Sequence, residues 1–101
     1  MAAAQLHKQE VRRLINLYQL QLLDTENETY FEEVVRCSSI LLKVPISLIS
    51  LVDFDRQWFK ANVGLNVTET TREASFCAHV ILQDDIFIVE NLTEDDRFFQ
   101  N

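Results

Sequence analysis

The chain has 101 residues, 48% of them hydrophobic and 25% charged, with a formal net charge of −7. That length holds one domain, and that mix gives a globular chain rather than a disordered one. The acidic balance argues against a nucleic-acid binder, which needs a basic footprint, and against docking on anionic lipid.

No apolar run reaches the roughly 18 residues of a membrane span. The first residues, MAAAQLHKQEVRR, lack the apolar core of a secretory signal, so a cytoplasmic location is expected. Cys37 and Cys77 are too few for a disulfide scaffold. The N-x-T triplets at Asn27, Asn66 and Asn91 are read as chance in a chain without a signal.

Residues 4–22 are expected to form a helix. Val11, Leu14, Ile15, Tyr18 and Leu22 recur at steps of three and four and share one face. Leu6, Leu17 and Leu20 form a second stripe, which could bury against a second copy of the chain. The plainer alternative is the edge of the chain's own core. On this division residues 1–22 are a leading dimer or signalling helix, and residues 23–101 the domain proper.

Thr25 and Glu28 have capping-box spacing, so a second helix should start there. Tyr30, Val34, Cys37 and Leu41 share its predicted core face, flanked by Phe31, Val35 and Leu42. Cys37 is therefore expected to act as a small buried hydrophobe. Pro45 ends this helix.

PISLISLV then reads as a strand that is apolar on both faces. DFDR separates it from QWFKANV, the arrangement of an antiparallel hairpin. In the second strand Phe59, Ala61 and Val63 alternate with Trp58, Lys60 and Asn62. Gly64 ends it, and LNVTETTRE reads as a polar loop. Ser75 is a plausible N-cap for a short helix, FCAHVILQ. Asp84 and Asp85 mark a turn, IFIVE reads as a third strand, and NLTEDDRFFQN is acidic with a possible helical turn.

In this order the motifs LLDT, VPISLISLVDFDRQWFKANVGL, ETTRE, SFCAHVI and VENLTEDDRFFQN resemble the front of a GAF domain. Such domains are small-molecule sensory modules. The subgroup resembled stands at the front of bacterial sensor kinases, as in two-component systems, and of cyclic-dinucleotide synthases. The resemblance covers about residues 10–101. It implies an α+β fold, an antiparallel sheet flanked by helices. Thr71 stands where the family pattern has Pro. The family domain adds three more strands and a helix, so the chain looks truncated after its third strand. An open, apolar sheet edge favours self-association or marginal stability.

Several constellations carry possible chemistry. Asp53, Asp55 and Arg56 could be an acid–base cluster. The alternative is a hairpin turn whose Asp side chains bond nearby backbone N–H groups, and that reading is preferred. Cys77 and His79 could be nucleophile and base, but residues two apart on a helix do not face each other. A zinc site would need Cys37 and His7 as well, from distant helices, so no metal is expected. Bilin attachment through Cys77 is disfavoured because Ala78, not His, follows it.

Trp58 is the preferred wall of a ligand pocket, with Phe76 and His79 lining the same space. The competing reading is a Trp packed under the helices or at a dimer contact. The function expected is a non-enzymatic sensory module that takes a small molecule or partner and modulates an attached effector. No cofactor and no catalytic residue are assigned. The alternatives are a ligand-free dimerisation module and a methionine-sulfoxide reductase of GAF fold.

Overall fold

The computed structural model describes residues 3–91 and 94. Its elements are helix α1 (Glu10–Gln19), helix α2 (Thr29–Leu42), strands β1 (Ser47–Val52), β2 (Arg56–Val63) and β3 (Glu69–Thr71), and the short helix α3 (Cys77–Val80). The strands form one antiparallel sheet in the order β1-β2-β3. The architecture is therefore the α+β class expected, with helices flanking an open sheet.

The leading helix is shorter than the expected 4–22. At its start the Gln9 N–H bonds to the His7 ring and the Glu10 N–H to the His7 carbonyl, which makes a local turn. At its end Gln21 adopts φ 53°, a left-handed conformation that a helix cannot continue through.

Its core face is also not the one expected. Leu17 is the buried residue, whereas Val11, Ile15 and Tyr18 are exposed. In α2 the buried residue is Val35, at 2% exposure, while Tyr30, Val34 and Leu41 face outward. Cys37 is exposed with them, which corrects its reading as a buried hydrophobe. In both helices two adjacent apolar stripes were available. The choice between them is made by tertiary polar contacts that periodicity does not encode.

α2 starts at Thr29, later than the capping box implies, and no side chain caps it. Both box residues are drawn away by a lysine. Lys60 is 1% exposed, and its ammonium donates to Thr25 Oγ1 and to the Glu26 carbonyl, each at 2.7 Å. It also pairs with Glu28 Oε2 at 2.7 Å and lies 5.6 Å from the centre of the Phe31 ring. A buried ammonium needs its donors matched, and here they pin the α1–α2 linker onto β2. α2 ends on Lys43 in the left-handed region, with the Val44 N–H returning to the Ser39 carbonyl. That stop comes just before Pro45.

The hairpin forms as expected, closed by the Asp53 N–H on the Arg56 carbonyl at 2.8 Å. Its ladder holds one irregularity: Ile49 pairs with Ala61 and Ser50 with Phe59, so Lys60 is the extra residue of a bulge in β2. Gly64 ends β2 at φ 91°, and a Cβ there would meet the Pro45 carbonyl oxygen at 2.2 Å. Only glycine fits that crossing.

The third strand is Glu69–Thr71, inside the stretch expected to be loop. It pairs with Arg56–Trp58, reinforced by Gln57 Nε2 on Thr70 Oγ1 and by Arg56 on Glu69. IFIVE is not a strand. Its alternation survives, with Ile86 and Ile88 outward and Phe87 and Val89 partly covered. Alternation decides which side chains turn inward; a ladder also requires a neighbouring strand. The final stretch from Leu92 lies outside the described residues, apart from Glu94.

Candidate functional site

The densest polar assembly lies where α1 meets the hairpin tip. Arg13 is on the inward face of α1. It grips Glu10 through two bonds of 2.8 Å and donates Nη1 to the Val52 carbonyl at 2.6 Å. Arg72, just after β3, reaches the same Glu10 carboxylate and the Asp53 carbonyl. The paired guanidinium groups, Arg13 first and Arg72 second, hold the Glu10 carboxyl down to about 2.

Asp53 is the second hub. It is buried and accepts from the Tyr18 hydroxyl at 2.6 Å, the Phe54 N–H at 2.7 Å and Arg56 Nε at 3.1 Å. Burial pushes its carboxyl up, but those three donors outweigh burial and the net shift is downward. Its hydrogen bond to Tyr18 raises the phenol in turn. Arg56 continues the chain of contacts to Asp24, through bonds of 2.8 and 2.7 Å, and to Glu69.

This junction ties α1, the α1–α2 linker, the hairpin tip and β3 into one network. Its carboxylates are held ionised by matched donors, which suits fixed electrostatic docking rather than proton transfer. The turn reading of DFDR is seen directly in the Asp53 to Phe54 N–H bond. Sequence reasoning missed the wider role of Glu10, Arg13, Tyr18, Asp24 and Arg72. The available signal was their chemistry: in a chain of net charge −7, arginines such as Arg13, Arg56 and Arg72 have acidic partners to find.

The expected ligand residues are not brought together. Trp58 and Phe59 are adjacent in β2 and so project to opposite faces. Ser50 stands opposite Phe59, and its side chain hydrogen-bonds to Cys77, which sets α3 over the Phe59 face. By the register Trp58 turns to the other face with Ala61, since their partners Leu51 and Ile49 are two apart in β1. Trp58 is 8% and His79 9% exposed, and the Phe76 ring meets Phe87 edge-on at 5.5 Å. The Ser75 hydroxyl accepts the Ala78 N–H at 3.0 Å, as an N-cap serine does.

Of the expected seam residues, Leu17 is buried and Leu6 and Leu20 are exposed. Leu17 and Leu20 flank an apolar groove of about 590 Å³ between α1, β1 and α3. Cys77 borders the same groove, and burial pushes its thiol up. Among the described residues no group of three or more His, Cys, Asp or Glu is placed to hold a metal ion. Among them, too, no helix is long and apolar enough to cross a membrane.

These features define a small α+β unit whose polar junction couples a leading helix to a sheet. No family model matches the chain. Across all 101 residues it is 39% identical to the cyclic di-GMP phosphodiesterase PA2567 of Pseudomonas aeruginosa. The chain spans 17% of that relative's length.

Proposed function

We propose that the chain is a non-catalytic regulatory module of a cyclic di-GMP signalling protein, GAF-like in fold. The observation that carries this is the 39% identity over the whole chain to a portion, 17%, of a cyclic di-GMP phosphodiesterase. Two further features support it. The motif order from LLDT to SFCAHVI resembles a sensory domain. The Glu10–Arg72 and Tyr18–Asp53 contacts give a change in the sheet a route into α1.

In this reading the module takes up a small molecule or partner on the sheet and passes the shift to an attached effector through α1. Such a ligand acts only as far as it binds one arrangement of the junction better than another. With Trp58 and the Phe76–His79 pair on opposite faces, uptake involves one face rather than a pocket shared by all three.

For the reductase reading the two cysteines point in different directions. Cys77 has a thiol raised by burial, and Cys37 stands exposed on α2. The test is direct. The isolated chain should not hydrolyse cyclic di-GMP. Deleting the matching segment from the Pseudomonas phosphodiesterase should change its rate without abolishing turnover. Hydrolysis by the chain alone, or a deletion that changes nothing, would sink the proposal.

A further inference from the structure

α1 and the linker that follows it are fastened to the sheet by different groups. Among the described residues α1 fully buries one side chain, Leu17, while Val11 and Ile15 stay exposed. Its hold is otherwise polar. Arg13 donates to the Val52 carbonyl and Tyr18 to Asp53, each at 2.6 Å, and Arg72 donates to Glu10. The linker is anchored elsewhere. Arg56 grips Asp24 through bonds of 2.8 and 2.7 Å, and the buried Lys60 holds Thr25, Glu26 and Glu28. None of these linker bonds passes through α1.

Between the two fastenings the backbone is left-handed twice, at Gln21 with φ 53° and Asp24 with φ 58°. Aspartate tolerates that region, but glutamine enters it only under strain. The Gln21 N–H on the Tyr18 carbonyl keeps it there. Freeing α1 relieves that strain and leaves the linker bonds intact. It also strands no charge on the sheet. Asp53 keeps the Phe54 N–H and Arg56, and Arg72 keeps the Asp53 and Phe54 carbonyls. A buried charge that retains its partners carries no large penalty.

We propose that α1 is a latch that leaves the hairpin tip and melts, with its pivot at residues 21–23 and the linker from Asp24 onward still seated on β2. Release and melting go together because a helix of ten residues is too short to persist alone in water. An ordered segment becomes a disordered one, which is one of the ways proteins switch. The use of this latch in signalling rests on the regulatory role proposed above. The release itself is a property of this chain alone, and its measurement involves no turnover of cyclic di-GMP.

The first measurement needs no variant. In the unaltered chain the amides of residues 14–19 should exchange faster than those of residues 34–40 by about tenfold or more, the mark of a local opening. Spin labels then locate the pivot. One label sits on the exposed Cys37, with Cys77→Ser in the background, and the other on Arg12→Cys in α1 or Asn27→Cys in the linker. Glu10→Gln with Tyr18→Phe alters α1 and leaves every sheet residue in place. This pair should spread the distances between positions 12 and 37 and keep those between 27 and 37 narrow. Exchange of residues 14–19 in step with α2 overturns the proposal, whatever the variants do. So does a 12-to-37 distance that stays narrow, or a 27-to-37 distance that spreads with it.

Discussion

Replacing Lys60 with Met removes an ammonium that is almost wholly buried but keeps most of its stem. Three contacts of 2.7 Å are lost, to Thr25 Oγ1, the Glu26 carbonyl and Glu28 Oε2. A hydrogen bond to a charged group contributes about 1.5–3 kcal/mol net. The three are not additive, and the apolar Met escapes the desolvation that the ammonium suffers, which offsets part of the loss. The partners lie on an exposed linker and regain water, so no polar group is orphaned. The balance is a destabilisation of about 2 kcal/mol. At about 4–8 °C per kcal/mol for a domain of this size, the thermal midpoint should fall by about 8–16 °C. Glu28→Gln, which alters one half-exposed partner, should cost less than about 1 kcal/mol. Thermal melts followed by circular dichroism, backed by urea titration, measure both. A Lys60→Met midpoint equal to or above that of the unaltered chain would refute the reasoning.

Three other predictions follow from particular contacts. Gly64→Ala should destabilise by more than about 1 kcal/mol, because its Cβ would meet the Pro45 oxygen at 2.2 Å and its φ is 91°; an unchanged urea midpoint would disprove this. Glu10 is held down to about 2 from an ordinary 4.5, so its contribution is complete above pH 4.5 and is lost as the pH falls toward 2. Urea midpoints across that window should therefore fall less steeply for Glu10→Gln than for the unaltered chain, and equal slopes would remove Glu10 from the account. In the folded chain Cys37 should react with maleimide well before Cys77, one exposed and the other half-buried with its thiol raised; the reverse order would contradict the packing of α2.

Much of this architecture is legible in the residues. The β1–β2 hairpin shows in two apolar runs flanking DFDR, and the end of α2 shows in the approach to Pro45. The faces of α1 and α2 are not legible, because Tyr30–Val34–Cys37–Leu41 and Phe31–Val35 are equally periodic. The decision lies with Lys60, which is drawn into the sheet by a bulge and seats Phe31 beneath it. The same lysine takes over Thr25 and Glu28, so a sound capping-box pattern gives a wrong helix start. β3 escapes notice because ETT is polar, and its pairing rests on Gln57 and Arg56 side chains across the ladder. IFIVE misleads in the opposite sense, with strand alternation and no ladder partner among the described residues. The junction is legible only as a turn: the tip shows in DFDR, but nothing local shows that Asp53 reaches Tyr18, 35 positions away in α1, or that Arg56 reaches Asp24, 32 positions away in the linker.

This unit is proposed to regulate and not to catalyse. The measurement closest to it is cyclic di-GMP turnover by the Pseudomonas phosphodiesterase with its matching segment replaced by this chain, compared with the same chimera carrying Tyr18→Phe. Turnover is expected in both, at different rates, because the lost Tyr18–Asp53 bond loosens α1 from the sheet, with no turnover by the chain alone. Equal rates in the two chimeras, or hydrolysis by the isolated chain, would contradict it.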